Sequence, residues 1–297
     1  MSVAAVKREL LVRHLEAWAP AALHRGRRVA YAHGYADADG GAAAEEAVRV
    51  LADQRDLARG RELSMVVIGT DLAPVEERLK RAQQEAGAAA GFAVHTITGR
   101  TDERLEVGLK ALGAHRVPLL GYLDASASEP PAATTVAALA GGKPAEVLLV
   151  LPAGASAGAY RAGWPLFTEV EMATGEEPGQ VLAFGTTSGK SLEGFKDALW
   201  AVDEYAGVRY RDPGDPDRHL IDISLTPHPG PLRREVLAHL AASGPATVTE
   251  LKTYALTETI YRAADAVRLL HTLIDSGAVT RSPEHGRLGG DVVIEAA

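Results

Sequence analysis

The chain has 297 residues, 46% of them hydrophobic and 24% charged, which is the composition of a globular protein with a large buried core. Its formal net charge of −8 gives no general attraction to nucleic acid, so such binding would need a local basic patch. The chain contains no cysteine, which excludes disulfide bonds, a thiolate nucleophile and sulfur-ligated metal. No apolar run reaches the roughly 18 residues of a membrane span, and residues 1–10 show no signal-peptide core. We therefore expect a cytoplasmic protein without membrane contact.

Helical spacing of apolar residues predicts a first helix over residues 5–19, and strands and helices then alternate. The predicted strands are Val29–Ala32, Met65–Ile68, Ala93–Ile97, Pro118–Leu123 and Glu146–Leu151. The helices between them are predicted at Ala42–Leu57, Val75–Ala86, Asp102–Leu112 and Thr134–Ala140. Because the strands lack polar alternation and are separated by helices, we predict an α/β fold with a Rossmann-like parallel sheet covered on both faces.

Beyond Pro152 the pattern predicts an antiparallel hairpin at the sheet edge, formed by Thr168–Met172 and Gln180–Phe184. A long helix over Leu192–Tyr205 follows. The turn before it resembles a phosphate-binding loop, but Gly185 and Gly189 enclose only three residues, one fewer than that loop needs. We interpret it as a turn with a helix cap at Ser188 or Ser191, with phosphate binding by Lys190 as the alternative.

The last part of the chain predicts three helices and then a hairpin. The helices are predicted at Leu232–Ala242, Val248–Ala255 (capped by Thr247) and Glu258–Asp275, and the strands at Ala278–Arg281 and Asp291–Ile294. This order is typical of a winged helix-turn-helix. With residues 226–231 interpreted as a linker, the predicted domains are a Rossmann-like domain at 1–225 and a winged helix domain at 226–297.

The glycine-rich turn after the first strand has the strand–turn–helix context that presents backbone N–H groups to an adenosine cofactor. Asp37 and Asp39 stand in this turn, where a cofactor carboxylate or phosphate would lie. Together with His33 they also suggest a divalent metal site, but no second acidic cluster completes the ligand shell. We therefore expect no metal and interpret both aspartates as side chains that bond their own backbone.

Several stretches are similar to the three-Cys-motif partner (TcmP) family, class I methyltransferase-like proteins with a C-terminal winged helix. They are Lys7–Trp18, His33–Ala36, Glu146–Val150, Gly194–Trp200 and Tyr254–Asp265. The resemblance spans nearly the whole chain and implies S-adenosylmethionine (SAM) as cofactor.

The cofactor motifs depart from the pattern of that family. In the first turn, His33 replaces an acid and Asp37 replaces a glycine that allows close approach of a ligand. After the second strand only Asp71 could bind ribose hydroxyls, two residues late. Arg100 stands where a carboxylate near the adenine is usual, and Asp124 alone survives from the motif after the fourth strand.

These departures predict a protein with degenerate SAM motifs that acts as a non-catalytic binding or regulatory protein and holds no cofactor. The vestigial pocket would consist of His33, Gly34, Tyr35, Gly40, Asp71 and Arg100. The alternative is an active SAM-dependent methyltransferase on nucleic acid or a small molecule. In that case Gly34, Gly40 and Asp71 would hold the cofactor and Asp124 would be the catalytic residue.

A third hypothesis is a DNA-binding regulator that uses the winged helix. The residues expected to contact nucleic acid or a partner are Lys252, Tyr261, Arg262, Arg268, Arg281 and Arg287. Residues 228–297 carry 7 Lys+Arg and 8 Asp+Glu, so this part lacks the net positive charge that drives DNA affinity. We therefore favour a protein partner, or self-association as a dimer through Leu269, Leu270 and Leu273.

Overall fold

The computed structural model describes residues 2–87, 91–203, 208–215, 218–221 and 230–297. Across these ranges, no helix combines the length and the apolar character that crossing a membrane requires. The boundary between residues 225 and 226, and most of the linker expected around it, lie outside the described residues. The two-domain division therefore stays a prediction.

The first two-thirds of the chain form one mixed sheet with helices on both faces. Its strands are β1 (Arg28–Gly34), β2 (Glu62–Gly69), β3 (Phe92–Thr98), β4 (Leu119–Asp124), β5 (Ala145–Ala153), β6 (Leu166–Ala173), β7 (Gln180–Thr186) and β8 (Arg209–Arg211). Its helices are α1 (Val3–Arg25), α2 (Ala42–Asp53), α3 (Ala73–Ala86), α4 (Thr101–Ala111), α5 (Ala133–Ala138), α6 (Gly158–Arg161) and α7 (Gly189–Asp203). Short 3₁₀ turns follow α2 and α5.

The strand order is β3-β2-β1-β4-β5-β7-β6-β8. Strands β1 to β5 are parallel, whereas β7 runs antiparallel to both β5 and β6. The order reverses between β1 and β4, and such a switch point opens a crevice at the carboxyl ends of the strands. The predicted parallel sheet and its hairpin are confirmed.

The hairpin is not the edge of the sheet, which corrects the sequence-based prediction. Strand β8 pairs antiparallel with β6, with Glu171 opposite Arg211 in the register. These two side chains also form a buried ion pair, with Arg211 Nη1 2.7 Å from Glu171 Oε1. The hairpin therefore has a covering strand on its outer side.

The sheet separates two apolar layers. On one face α1, α2, α3 and α7 pack over residues such as Tyr31, Met65 and Phe184. On the other face α4 and α5 cover Ala32, Val66 and similar small or branched residues. Because every central strand is buried on both faces, its residues are apolar at successive positions, as a parallel sheet requires.

Three helices and a small sheet form the C-terminal part. The helices are α8 (Gly230–Ser243), α9 (Val248–Glu258) and α10 (Ala263–Asp275), and the strands β9 (Ala246–Thr247), β10 (Val279–Ser282) and β11 (Val293–Ala296) lie in the order β10-β11-β9. Thr247 caps α9 through a reciprocal bond pair with Glu250, as predicted. The third helix begins at Ala263 rather than Glu258, because α9 extends to Glu258.

This C-terminal part packs against the large sheet. The buried Lys196 of α7 donates to the Thr259 carbonyl oxygen, and the Trp200 indole N–H donates to the Ile260 carbonyl oxygen at 3.2 Å. Arg161 of α6 forms an ion pair with Glu258 at 2.7 Å. The buried apolar cluster is continuous from α7 into α8, α9 and α10.

Candidate functional site

The turn after β1 is held by packing and by the backbone. A Cβ atom at Gly34 would lie 2.7 Å from the side chains of both Leu123 and Thr101, so glycine is needed there by close packing. Tyr35 adopts the left-handed conformation with φ of 57°, which is disfavoured for a bulky residue. Its backbone N–H donates to Thr101 Oγ1 at 3.0 Å, which fixes the turn against the start of α4.

Asp39 occupies the amino terminus of α2. Its carboxylate accepts from the Gly41 N–H at 3.0 Å and from the Ala43 N–H at 2.8 Å. The first N–H groups of a helix have no intrahelical partner and, with the helix dipole, form a natural anion site. The chain therefore fills this anion site with its own carboxylate.

Asp37 accepts hydrogen bonds from the backbone that follows β2. Its Oδ2 accepts from the Thr70 N–H at 2.9 Å, the Thr70 hydroxyl at 2.6 Å and the Asp71 N–H at 2.9 Å. Partial burial acts to raise the pKa of Asp37, but these hydrogen bonds outweigh it and the pKa is lowered. Asp37 is therefore ionised, and its carboxylate joins the turn after β1 to the residues that follow β2.

Asp71, expected to bind ribose hydroxyls, contributes its backbone N–H to Asp37, and its side chain does not line the cleft. Gly40 is likewise outside the cleft lining, with φ of 65° in the turn before α2. The sequence predicts both residues in the cofactor pocket, but neither of them lines the cleft.

His33 lies in the core rather than in a ligand pocket, which corrects its predicted place. It is 1% exposed, with its Nδ1 2.9 Å from the Tyr31 hydroxyl and its ring 5.0 Å from that of Tyr122. Burial lowers the pKa of His33 to about 4, against the opposing fields of Asp39 and Asp124. The described residues include no group of three His, Asp or Glu side chains able to hold a metal ion.

Asp124, the expected catalytic residue, ends β4 in an internal ion pair. Lys7 Nζ lies 2.8 Å from Asp124 Oδ2 and 2.9 Å from the Ser126 hydroxyl oxygen. The other carboxylate oxygen accepts from the Ser126 N–H at 3.1 Å. Asp124 is 9% exposed and does not line the cleft, and its charge is paired with Lys7 inside the protein.

A cleft of about 350 Å³ lies at the switch point, in the size range of small-molecule sites. Loops after β1, β2, β3 and β4 contribute its walls, among them Tyr35, Asp37, Arg100, Asp102 and Glu129. Tyr35 and Arg100 are the predicted pocket residues that line it. Three carboxylates against one arginine make the cleft acidic, which disfavours an anionic ligand.

Sequence reasoning missed Lys7, Asp102 and Glu129. Asp102 accepts from the Thr135 hydroxyl at 2.6 Å and the Ala132 N–H at 3.1 Å, so it joins the cleft wall to α5. Its position in the first turn of α4 was a signal, because acids are favoured there. Lys7 had no signal beyond its place on a polar helix face.

The basic residues of the C-terminal part are mostly engaged within the chain. Arg262 forms an ion pair with Asp265 and lies 4.5 Å from the centre of the Trp200 ring, and Arg268 approaches the same aspartate. Lys252 lies 3.5 Å from Glu193, and Arg281 donates to carbonyl oxygens of residues 283, 286 and 287. Tyr261 is 1% exposed, so its side chain is not available to a partner in this structure. Arg287 is exposed.

Fold and site together define a doubly wound α/β protein with an acidic cleft at the switch point of its sheet. Neither a family model nor a curated protein matches the chain. Among solved structures, a spermidine synthase in complex with the transition-state analogue AdoDATO is 10% identical, with a TM-score of 0.37 over 63% of this chain and 62% of that one. Spermidine synthase from Thermotoga maritima is also 10% identical, with a TM-score of 0.35 over 62% of each chain. The chain thus spans less than two-thirds of the structures it matches.

Proposed function

We propose that this chain is a methyltransferase-like protein of the three-Cys-motif partner type that binds or regulates a partner and does not transfer methyl groups. One observation carries the proposal: the backbone donors at the start of α2 and after β2 are already bonded to Asp39 and Asp37, respectively. SAM has a carboxylate of its own, which would have to displace one of these side chains.

The energetic argument concerns the carboxylate of SAM alone, because its sulfonium and ammonium groups are positive and the aspartates do not repel them. A ligand carboxylate about 5 Å from either aspartate meets a repulsion of about 3 kcal/mol at an effective dielectric of about 20. Lys7 does not relieve this repulsion, because its ammonium is bound to Asp124. We therefore propose that the cleft holds no SAM and that Asp124 acts as a structural residue.

Calorimetric titration of the full chain with SAM and S-adenosylhomocysteine tests the proposal. We expect no saturable heat with up to millimolar ligand, whereas a micromolar one-to-one isotherm with either compound would overturn it. An Asp37→Asn/Asp39→Asn double variant is the matched probe, since asparagine keeps an oxygen acceptor at each position. Gain of SAM binding by this variant would identify the two charges as the obstacle.

The second candidate is an active SAM-dependent methyltransferase acting on nucleic acid or a small molecule. The cleft of about 350 Å³ favours it, because that space suits a nucleoside-sized ligand. Here Tyr35 and Arg100, which line the cleft, would contact the cofactor. The same titration separates the two candidates, because only this one requires wild-type protein to bind SAM.

For the C-terminal part we propose a winged helix used for contact with a protein partner or a second copy of the chain. The leucines expected to mediate self-association, Leu269, Leu270 and Leu273, are buried in the chain's own core, so a second copy would have to use another surface. The order of three helices, a short strand between α8 and α9, and a final hairpin supports the winged-helix assignment. Internal ion pairs of Lys252, Arg262 and Arg268 support protein contact over DNA binding, since these charges are already neutralised. A gel shift with genomic fragments at low salt tests this: a sequence-dependent, salt-sensitive shift would favour the DNA-binding regulator instead.

A further inference from the structure

A second cavity lies at the amino ends of the parallel strands, whereas the switch-point cleft lies at their carboxyl ends. Its volume is about 220 Å³, and it is enclosed by α1, the start of β5 and the first turns of α7. Since β5 is parallel to β1 and β4, the start of β5 lies at the amino ends of the parallel strands. This cavity therefore shares no lining residue with the cleft, and nothing in the proposed function uses it.

The floor of the cavity is a buried polar network. Glu146 is 1% exposed, and both of its carboxylate oxygens are bonded: His14 Nε2 lies 2.8 Å from Oε2, and the Ser191 hydroxyl donates to Oε1 at 2.5 Å. His14 is itself 5% exposed. A carboxylate buried at the start of an apolar strand is costly unless it is bonded in this way, and the network satisfies it at the base of an open cavity.

Positive charge surrounds the opening. Arg13, Arg25 and Lys190 all line the cavity and are exposed. Arg13 is paired with Glu9, but Arg25 and Lys190 have no ionic partner within the described part of the chain. Helix α7 begins at Gly189, and its first turn lines the same space; the helix dipole favours anions there, and the Ser191 N–H already donates to Ser188 Oγ at 3.3 Å.

The remaining wall is apolar. Trp18, Ala22, Pro144 and Ala198 contribute to it, and Trp18 is 5% exposed. The indole Nε1 of Trp18 is buried and finds no hydrogen-bond partner among the described residues. Apolar walls with a few placed polar groups are the usual character of a small-ligand site.

We propose that this cavity binds a small organic anion, with an apolar or aromatic body against Trp18 and a carboxylate or phosphate held by Arg25, Lys190 and the first turn of α7. Three features coincide there: two cations without an ionic partner among the described residues, an apolar wall, and a floor whose carboxylate is bonded to His14 and Ser191. Because Glu146 lies at the floor, the anionic end of the ligand is placed at the rim beside Arg25 and Lys190. A volume below the roughly 300–1,000 Å³ of drug-sized sites limits the ligand to a single ring or a short chain.

Three one-ring probes test the site on the full-length protein by calorimetry and ligand-detected NMR. Phenyl phosphate and benzoate supply the two anion types, and benzyl alcohol is the uncharged control. We expect saturable binding of at least one anion and at least tenfold weaker binding of the alcohol. Equal affinity for anion and alcohol, or no binding of either anion at millimolar concentration, would overturn the proposal.

An Arg25→Ala/Lys190→Ala double variant tests the role of charge. Each exposed cation is expected to contribute about threefold to fivefold in affinity, so the double variant should bind the anion about ninefold to twenty-five-fold more weakly. Lys80→Ala, which removes an exposed lysine on α3 outside the cavity, should leave the affinity unchanged. Unchanged affinity in the double variant would refute the proposed anion contact.

Gly194→Leu tests the location without removing any charge. Gly194 lines the cavity, and no atom lies within 4 Å of the position that its Cβ would take. Leucine also favours helix more than glycine does, so the variant should fold at least as well as the wild type. Its side chain should fill the cavity and abolish probe binding, whereas full binding in a folded Gly194→Leu protein would show that the anion binds elsewhere.

Discussion

The ammonium of Lys7 lies 2.8 Å from a carboxylate oxygen of Asp124, and the two side chains are only 11% and 12% exposed. This pair joins the first turns of α1 to the carboxyl end of β4, beside the switch point of the sheet. Asp124 is the residue that the sequence predicts as catalytic under the active-methyltransferase alternative, and here it is paired within the chain. The charge of Asp124 is therefore engaged in holding α1 against the end of β4.

Removing Lys7 should destabilise the fold more than removing both charges. Lys7→Met leaves a largely buried carboxylate without its partner, which typically costs about 3 kcal/mol of unfolding free energy. Lys7→Met/Asp124→Asn should lose clearly less, because no charge is left unpaired. Urea denaturation of the three proteins measures this.

An exposed pair on the same helix provides the control. Arg13→Ala breaks the Arg13–Glu9 pair, whose side chains are about 40% exposed, and should cost less than about 0.5 kcal/mol. Equal losses for Lys7→Met and the double variant would show that the charge of Asp124 is not the source of the effect.

Asp39 should behave as a helix cap. Asp39→Ala removes the acceptor of the Gly41 and Ala43 N–H groups and is expected to lower the free energy of unfolding by about 1 kcal/mol. Asp39→Asn keeps an acceptor and should lose only a few tenths of that, from the lost interaction with the helix dipole. Chemical denaturation with an unchanged m-value checks both; identical stability of the alanine variant and the wild type would argue against capping.

The sequence predicts the central sheet well because its signal is local. Strands buried on both faces need a continuous apolar run, and the runs at β1, β2, β4 and β5 are visible without any knowledge of their neighbours. Strand β8 could not be found in this way. It has three residues, and the burial of its last one, Arg211, depends on an ion pair with Glu171 in a distant strand.

The candidate site illustrates the same limit at the level of side chains. The sequence identifies Asp37 as an unusual acid in the turn and suggests that it bonds its own backbone, whereas the donors to its Oδ2 lie 33 and 34 positions away after β2. The partner of Asp124 is 117 positions away on α1. Glu146 carried a visible signal, since a carboxylate inside an apolar strand requires a bonded partner.

His33 should make the protein sensitive to acid. Its pKa of about 4 in the folded state lies below the ordinary value of 6.5, so the unfolded chain binds a proton first as the pH falls. The stability that His33 contributes is complete above pH 6.5 and is lost as the pH falls through about 4, a change on the order of 3 kcal/mol.

His33→Gln tests this, because glutamine can still bond to the Tyr31 hydroxyl but does not titrate. The difference in unfolding free energy between wild type and variant, measured from pH 7 to pH 4, should change steadily in favour of the variant as the pH falls. A difference that is independent of pH would contradict the assigned pKa.

Lys196 should make the protein more stable in mild alkali. It is fully buried under the turn between α9 and α10, and burial lowers its pKa to about 7, despite the opposing fields of Asp212, Glu258 and Glu235. Between this pKa and the ordinary value of 10.5 the unfolded chain holds a proton that the folded protein has released. Stability therefore rises as the pH increases from 7 towards 10, by at most about 4 kcal/mol, and is lost as the pH falls back through 7.

The measurement should begin at pH 7, because Glu235 acts in the opposite sense below it. Burial, with the nearby Asp212 and Asp215, raises the pKa of Glu235 to about 7, so its contribution is complete below pH 4.5 and is lost as the pH rises through 7. Lys196→Met keeps the length of the side chain without a titrating group and should flatten the rise between pH 7 and 9.5. An equally steep rise in Lys196→Met would show that the alkaline gain belongs to other groups.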